Sequence, residues 1–359
     1  MIYYISEYNY YEQLNKKLEY TAHTAASKAR LDCEYIISNL QADIKPIYLD
    51  ENKKNTNTEK SLIKKTKSQF EVKKDWLNKT KNLKDNDVLI AQVPFRYHSI
   101  FLNSVLKKLK KRNIKLIFII HDIPWFRKYT SFAGKIHGDS YKKQFGYADK
   151  IIVHNDKMKD FFLKFGFKDR QIVTLTIFDY LTDINKINNY AKDKPIIIAG
   201  NLANYKCEYL RYLPDDIDFN LYGPNYELNK ENLHHIGSFD PDDLINHLDG
   251  SFGLIWDGKS VNTCDGIMGE YLKINNPHKT SLYLAAGLPI IIWKNAALAS
   301  FIEENGCGIT INSITEIKDK IDNMTNAEYL KIKENIAKVS KDIRQGKYMK
   351  TALLKAIYE

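Results

Sequence analysis

Short apolar runs alternate with amphipathic stretches along the first half of this chain. Four runs have the length and apolar content of buried strands, namely Ile2–Ser6, Asp87–Gln92, Lys115–Ile120 and Lys150–His154, and Ile47–Leu49 is a further strand candidate. The stretches between them carry apolar residues at helical spacing and predict helices over Tyr20–Asn39, Tyr97–Arg112 and Asp156–Phe165. Strands that alternate with helices in this way predict an open parallel sheet covered by helices.

The same alternation begins again after a polar and weakly patterned stretch at residues 179–194. Further strands are predicted over Pro195–Ala199, Asp218–Tyr222, Phe252–Trp256 and Leu288–Trp293, and two terminal helices near residues 315–339 and 341–357. A chain of 359 residues is also long for a single core. We therefore predict an α/β protein with two parallel-sheet domains, residues 1–185 and 190–340, facing a cleft.

The segment from Asn276 to Gly287 combines a helix start with a cation. Asn276 is a good N-cap, Pro277 suits the first helical position, and Gly287 suits the C-terminal stop. The first turn then presents free backbone N–H groups beside His278 and Lys279. A helix N-terminus and a lysine together favour an anion, so this turn is a candidate diphosphate site. The alternative is an ordinary capped helix that binds nothing.

Positive charge is concentrated in the first half of the chain. Residues 1–180 carry 34 Lys+Arg against 20 Asp+Glu, whereas residues 181–359 carry 20 against 24. This imbalance indicates an anionic neighbour, such as membrane lipid, nucleic acid or a phosphorylated substrate. The alternative is a proteome that favours lysine, which would give the same excess of positive charge without an anionic partner. Neither a signal peptide nor an apolar run of about 20 residues is present, so a cytoplasmic protein is expected.

Several chemistries are disfavoured by the absence of their motifs. The chain has no Gly-x-Gly-x-x-Gly, no P-loop and no Gly-x-Ser-x-Gly, which argues against a nicotinamide or flavin cofactor, a P-loop ATPase and a serine hydrolase. The four cysteines lie far apart, so neither a zinc site nor a disulfide framework is indicated. Asp216 and Asp218 precede a strand and suit a solvated turn better than a metal site. No metal or other cofactor is expected, because a helix dipole and Lys279 can neutralise a diphosphate.

Ligands of open parallel sheets bind outside the carboxyl ends of the strands, and polar groups follow most of the predicted strands here. In the second half they are Gly200-Asn201, Tyr222-Gly223, Trp256-Asp257 and the turn at residues 276–280. In the first half they are Ser6-Glu7, Gln92 to Pro94, His121-Asp122 and His154-Asn155. Two such edges facing a cleft would hold a donor on one side and an acceptor on the other.

These residues resemble bacterial glycosyltransferases of the GT-B fold, which has two Rossmann-like domains. The segment from Phe252 to Trp293, with its Pro-His-Lys and Leu-Ala-Ala-Gly-Leu-Pro, is most similar to galactofuranosyltransferases and related glucosyltransferases of surface polysaccharide and adhesin glycosylation. The likeness extends more weakly to residues 118–124 and 199–202. It implies transfer of a hexose from a UDP-sugar to a sugar hydroxyl, and galactofuranose is the hexose expected. It also implies that helix 341–359 completes the acceptor-binding first domain.

The resemblance assigns the donor nucleotide-sugar to the second domain. Lys279 and the backbone of residues 277–280, with Thr280, would bind the diphosphate, and Asn276 and His278 would shape that turn. The remaining donor contacts would come from Asn201 and Tyr222, near the uridine or phosphates, and from Asp257 and Glu270, at sugar or ribose hydroxyls. Carboxylates accept hydrogen bonds from neighbouring hydroxyls. Trp256 and Trp293 are more typical of a core than of sugar-stacking platforms.

The resemblance assigns the general base to the first domain, near the acceptor. Asp122 is the first choice, with His121 and Glu7 as rivals, since a carboxylate or imidazole at a strand end can take a proton from a hydroxyl. A helix cap or a loop hydrogen bond at Asp122 is an equally good interpretation. The pattern does not separate inversion from retention at the anomeric centre.

The resemblance also suggests partners. Acceptors in surface-polysaccharide assembly are lipid-diphosphate oligosaccharides, and the basic cluster of Lys107, Lys108, Lys110, Lys111 and Arg112 could hold the protein on the inner face of an anionic membrane. A solvated helix face is the alternative for this cluster. Homo-oligomers are expected as one possibility, and no nucleic acid is expected.

Other functions remain open at this stage. The chain could be a glucosyl- or N-acetylglucosaminyltransferase that acts on a glycoprotein, or a non-catalytic glycan-binding partner of the same fold. An isomerase acting on a UDP-sugar is a further alternative. The presence of Lys279 and of the glycine turns favours an enzyme.

Overall fold

The first half of the chain forms a parallel sheet. The computed structural model describes residues 1–8, 12, 25–40, 43–50, 62–96, 99–128, 132–184 and 190–359. Six strands have the order β2-β1-β3-β4-β5-β6, with every pair parallel. They are β1 Ile2–Ser6, β2 Ile44–Tyr48, β3 Val88–Val93, β4 Lys115–Ile120, β5 Lys150–Val153 and β6 Ile172–Thr174.

The second half forms a second parallel sheet of the same size. Its order is β12-β11-β10-β7-β8-β9. The strands are β7 Ile196–Ala199, β8 Phe219–Tyr222, β9 Leu233–Gly237, β10 Gly253–Ile255, β11 Ile290–Trp293 and β12 Gly308–Ile311. Two parallel sheets with helical connections confirm the predicted fold class.

Helices connect and cover the strands. Those of the first half are α1 Ala25–Ser38, α2 Leu62–Lys79, α3 Leu102–Lys111, α4 Pro124–Lys128, α5 Phe132–Phe145 and α6 Asp156–Lys164. Those of the second half are α7 Asn204–Cys207, α8 Leu244–His247, α9 Gly266–Leu272, α10 His278–Ala285, α11 Ala299–Glu304, α12 Ile317–Asp322, α13 Asn326–Arg344 and α14 Lys347–Tyr358. Positions 20–24, 97 and 98 of the predicted helices lie outside the described residues.

Burial on both faces explains why the strands are almost continuously apolar. In β4, Leu116, Phe118 and Ile120 belong to one core cluster, and the alternating Ile117 and Ile119 belong to another. Successive side chains of a strand point to opposite faces, so a sheet covered on both sides needs apolar residues at every position. The core of the second sheet is a separate cluster, which includes the buried Trp256 and Trp293.

The last helix packs against the first sheet. Met349, Leu353 and Ala356 of α14 are fully buried in the cluster that contains Ile117 and Ile152. The chain therefore passes from the first sheet to the second through residues 176–184, here named the hinge segment, and returns after α13. The predicted break between the terminal helices near residue 340 is wrong, because α13 continues to Arg344 and Gly346 has a left-handed φ of 72°.

Candidate functional site

The helix that carries the predicted anion site begins at His278, with Pro277 at its N-cap and no side-chain cap. Asn276 is therefore not the N-cap, and Pro277 is not the first helical residue. The carboxamide of Asn276 is buried and makes hydrogen bonds outside the helix, so it cannot turn back to cap it. Gly287 does end the helix in a left-handed conformation, with φ at 77°.

Lys279 is held at the end of β10. Its Nζ donates to the carbonyl of Trp256 at 2.9 Å and to Oδ1 of Asp257 at 3.2 Å. Only 12% of the Lys279 side chain and 7% of the Asp257 side chain are exposed. The sheet edge thus brings together a lysine, a carboxylate and the first turn of α10. A poorly solvated lysine at a helix N-terminus suits a phosphate oxygen as an additional partner.

Thr280 lies in the same turn and is fully buried. Its backbone N–H bonds to the carbonyl of Pro277, whereas its Oγ1 has no hydrogen-bond partner among the described residues. A buried hydroxyl without a partner is uncommon and calls for an explanation, such as a ligand or a water molecule.

His278 faces the hinge segment and does not suit a phosphate contact. Its Nε2 lies 3.2 Å from the carbonyl of Asp179, and its ring stacks on Tyr180 with the centroids 5.1 Å apart. Burial lowers the pKa of His278 to about 3, so the imidazole is neutral near pH 7. Because Nε2 donates to a carbonyl, Nδ1 has only a lone pair, which repels an anion. The ring therefore adds no positive charge to the predicted anion site.

Two other predicted donor contacts are placed differently by the structure. Tyr222 is 1% exposed, and its hydroxyl accepts from the backbone N–H of Asp249, so this side chain belongs to the core and its predicted contact with the donor is wrong. Glu270 lies exposed on α9, where its carboxylate is 2.7 Å from Nζ of Lys273. An exposed pair of this kind opens at little cost, so a donor role for Glu270 stays a prediction.

Asn201 organises the loop after β7. Its Oδ1 accepts from the N–H of Ala203 and from Nδ2 of Asn225, both at 3.0 Å. The neighbouring turns approach closely, because a Cβ built on Gly223 would lie 1.8 Å from the carbonyl oxygen of Gly200. These turns therefore require glycine beside Asn201, whose own contact with a donor stays a prediction.

At the edge of the first sheet, Glu7 is bound to arginine. Its Oε1 accepts from Nη1 of Arg30 at 2.6 Å, and Nε of Arg96 lies 3.7 Å from its Oε2. Arg30 also donates to the carbonyl of Pro94. A proton on Glu7 would break a buried ion pair, which disfavours this carboxylate as a general base.

His121 is oriented by Gln92. Its Nε2 lies 2.6 Å from Oε1 of Gln92, and Nε2 of Gln92 donates to the carbonyl of Arg30, which fixes the amide orientation. Nε2 of His121 therefore carries the proton and Nδ1 has the lone pair. Burial, followed by the positive charge of the nearby Arg30, holds the pKa of His121 well below its usual range. The ring is therefore neutral near pH 7.

Asp122 is half-buried beside His121. Its Oδ1 accepts from the N–H of Ile123 at 2.9 Å, and Ile123 also donates to the hydroxyl of Tyr271 on the second domain. Asp122 lies two residues before α4 and bonds to the next residue, so it is not the N-cap of that helix. Its role as a general base stays a prediction.

Some residues at this edge were missed as site candidates. Arg30 lies in a helix whose pattern gives no signal, whereas Gln92, His154 and Asn155 lie at or directly after the ends of predicted strands and are expected only as edge groups. Among the residues that the structure describes, no three His, Cys, Asp or Glu side chains form a group that could hold a metal. Within the same residues, no helix has the length and apolar character needed to cross a bilayer.

Comparisons with known proteins agree with this arrangement. The models of the glucosyltransferase 3-like family match residues 8–177 with the N-terminal domain and residues 196–356 with the C-terminal domain. The chain is 39% identical to beta-1,6-galactofuranosyltransferase WbbI of Escherichia coli (strain K12), over 77% of this chain and 80% of that protein. It is 28% identical to glucosyltransferase 3 of Streptococcus gordonii, over 76% and 80% of the two chains.

A solved structure supports the fold alone. Sucrose-phosphate synthase from Thermosynechococcus elongatus superposes with a TM-score of 0.62 at 11% identity, over 98% of this chain and 97% of that one. With two Rossmann-like sheets and matches to both family domains, the chain belongs to the glucosyltransferase 3-like family of bacterial GT-B glycosyltransferases.

Proposed function

We propose that this glycosyltransferase moves galactofuranose from a UDP-sugar to a sugar hydroxyl of a surface glycan, without a metal ion. The observation that carries the donor class is Lys279, buried in the first turn of α10 beside Asp257. The identity of 39% to a galactofuranosyltransferase supports the choice of sugar. In this reaction the acceptor oxygen bonds to the anomeric carbon as the bond from that carbon to the diphosphate breaks.

On the donor side, the departing UDP gains negative charge. The backbone N–H groups of His278 and Lys279 at the start of α10 and the ammonium of Lys279 would stabilise that charge. Asp257 would keep Lys279 in place before the donor binds, since the pair is already formed at 3.2 Å. Thr280, whose hydroxyl has no partner among the described residues, would donate to a phosphate oxygen.

On the acceptor side, a base must take the proton of the attacking hydroxyl. Of the three predicted groups, Glu7 forms a buried ion pair with Arg30. The neighbouring His121 and Asp122 therefore remain as candidates for the base. Nδ1 of a neutral His121 can accept a proton, and Asp122 beside it would stabilise the imidazolium that results. The transferase activities of the variants Asp122→Asn and His121→Phe distinguish the base from its partner.

The experiment that tests this proposal is a thermal-shift screen against UDP, GDP, CMP and ADP, with and without EDTA. We expect UDP alone to raise the melting temperature, with no effect of EDTA, because a ligand of the native state stabilises it. The rise should vanish in Lys279→Ala and persist in Lys331→Ala, which removes an exposed lysine of the same domain. Incubation with UDP-galactofuranose and an acceptor glycan should then release UDP.

A glucose donor is the second candidate. It is favoured by the family description and by the glucosyltransferase 3 relatives. Turnover of UDP-glucose in place of UDP-galactofuranose would select it. Conversion of the sugar without an acceptor would indicate an isomerase, and no response to any nucleotide would indicate a non-catalytic binding partner.

We also propose a cytoplasmic protein that meets a lipid-diphosphate-linked acceptor at the membrane surface. Part of the basic cluster has another role, because Lys110 pairs with Asp149 and Arg112 donates to the carbonyls of Thr80 and Lys81. Lys107, Lys108 and Lys111 are exposed and would contact anionic lipid. Association into a homo-oligomer, which light scattering would detect, is a further expectation.

A further inference from the structure

We propose that His154 and Asn155 of the first domain are positioning residues for the anion-binding turn, residues 277–280, of the second. Both follow β5, at the edge of the first sheet. Neither is a candidate for contact with the donor. The inference deepens the proposed function and rests on it, because it concerns how the diphosphate site is held in place.

Asn276 makes several of the hydrogen bonds that join the two domains. Its Nδ2 donates to the carbonyls of His154 at 2.7 Å and Thr176 at 3.0 Å, and its Oδ1 accepts from Nδ2 of Asn155 at 2.6 Å. Asn155 also donates to the carbonyl of Ile274 at 3.1 Å. Asn276 is 4% exposed, so these bonds are shielded from water. The residue immediately before the turn is therefore fixed from outside its own domain.

His154 fixes the backbone at the same point. Its Nε2 donates to the carbonyl of Ile120 at 3.1 Å, which leaves Nδ1 as an acceptor for the backbone N–H of Asn276 at 3.0 Å. The imidazole is 98% buried and makes an edge contact with Phe178. A neutral histidine in this one tautomer thus orients the peptide that leads into α10.

The hinge segment completes the arrangement. Thr176 has a φ of 81°, a strained value for a β-branched residue, and its carbonyl is the one that Asn276 binds. Further along, the hydroxyl of Ser281 in α10 donates to the carbonyl of Phe178 at 2.6 Å. Seven hydrogen bonds, four of them fully buried, therefore join the segment from Ile274 to Ser281 to the two residues after β5 and to the hinge segment.

This geometry makes donor affinity a property of both domains. An anion site built from backbone N–H groups depends on the direction of those groups, which here is set by bonds to the first domain. Loss of the bonds from Asn155 should let residues 274–280 sample other conformations. The donor would then bind only to the fraction of molecules in which the turn is correctly oriented.

Asn155→Ser is the variant that isolates this effect. Oδ1 of Asn155 caps α6 by accepting from the N–H of Met158 at 2.9 Å, and serine is an equally good cap. The shorter serine cannot reach Asn276 or Ile274. The matched control is Asn232→Ser, which also removes two hydrogen bonds donated by a buried asparagine, to the carbonyls of Pro214 and Ile217, within the second domain. His154→Phe is a second variant. It keeps an aromatic ring at this position and loses the hydrogen bonds of the imidazole to Ile120 and Asn276.

The measurements are UDP affinity by calorimetry and amide exchange of residues 276–280 in the ligand-free protein. We expect Asn155→Ser and His154→Phe to weaken UDP binding roughly tenfold, since a buried donor or acceptor loses its partner. Exchange of the turn should rise in both. Asn232→Ser should melt earlier but keep the wild-type UDP affinity and the wild-type exchange of the turn.

The outcomes separate this inference from the proposed function. Wild-type UDP affinity in both folded variants would overturn the inference and leave the donor assignment intact. A wild-type protein that binds no UDP would overturn the donor assignment. Amide exchange alone would then test the positioning role. In that case, faster exchange of the turn in Asn155→Ser but not in Asn232→Ser supports the positioning role, and unchanged exchange overturns it.

Discussion

Nζ of Lys279 lies 3.2 Å from Oδ1 of Asp257, and both side chains are almost fully buried. The removal of one member of such a pair leaves an unpaired buried charge. We expect Lys279→Ala to lower the free energy of unfolding by about 3 kcal/mol, and the double variant with Asp257→Ala to recover part of that loss. Urea denaturation measures this stability cycle.

UDP binding should not recover in the double variant, although stability should recover in part. Both Lys279→Ala and the double variant should lose it, because the ammonium is absent from each. Recovery of UDP binding together with stability would show that Lys279 acts only through folding.

The proton of His121 should reside on Nε2, because Gln92 presents only an acceptor to it. Nitrogen chemical shifts of labelled protein at about pH 7 would report this tautomer directly. In Gln92→Glu a carboxylate replaces the amide oxygen, so the pKa of His121 should rise and the acid limb of the activity profile should move to higher pH. A ring protonated on Nδ1 in the wild-type protein would contradict the assignment.

His278 should make the protein less stable in mild acid. Burial lowers its pKa to about 3, so between about pH 6.5 and that value the unfolded chain binds a proton that the native state does not. Stability should therefore fall as the pH falls, by roughly 1.4 kcal/mol per pH unit from this group. Burial raises the pKa of Asp32 to about 6 and that of Asp179 to about 7, which opposes the trend.

A difference measurement isolates the histidine from these carboxylates. We expect the pH dependence of unfolding to be flatter by one proton in His278→Asn than in the wild type. His247→Asn, at an exposed histidine on α8, serves as the control. Identical slopes in all three proteins would mean that His278 is protonated in the native state.

Gly223 should be far less replaceable than Gly166, although both have a positive φ. A Cβ at Gly223 would meet the Gly200 carbonyl oxygen at 1.8 Å, whereas a Cβ at Gly166 meets nothing within 4 Å. We expect Gly166→Ala to cost about 1 kcal/mol, from backbone conformation alone, and Gly223→Ala more than about 3 kcal/mol. Thermal unfolding of the two variants tests the difference, and equal costs would contradict it.

The exposed lysines of α3 should bind anionic lipid. At about 1 kcal/mol for each lysine, replacement of Lys107, Lys108 and Lys111 by Gln should weaken binding to phosphatidylglycerol vesicles roughly a hundredfold at low salt. The control replaces three exposed lysines of the second domain, Lys318, Lys320 and Lys331. Equal loss in the two triple variants would indicate a general charge effect and no defined membrane face.

The strands could be predicted well where the sheet is covered on both sides. Lys115–Ile120 has the predicted bounds, and every position of β4 after Lys115 faces a core. The pattern does not predict strands β6, β9 and β12, each of which lies at the edge of its sheet and has a short apolar run. Local sequence carries little information about strands at or next to a sheet edge.

Within the site, sequence identified the groups but not their partners. Lys279 and Asp257 lie 22 positions apart, and nothing in the local pattern showed that they would pair. Asn276 was assigned as a cap from its helix-end preference, yet the carbonyls of His154 and Thr176 compete for its carboxamide and prevail. Tyr222 follows the strand pattern, but the pattern does not reveal which face its hydroxyl reaches.

The position of α14 on the first sheet also constrains how the protein is made. Ile117 and Ile152 are covered by Met349, Leu353 and Ala356, which leave the ribosome after nearly all the rest of the chain. The first sheet is thus synthesised early but keeps an apolar face open until residues 349–356 have been made. A nascent chain that lacks these residues exposes this apolar surface, which favours aggregation or binding to a chaperone.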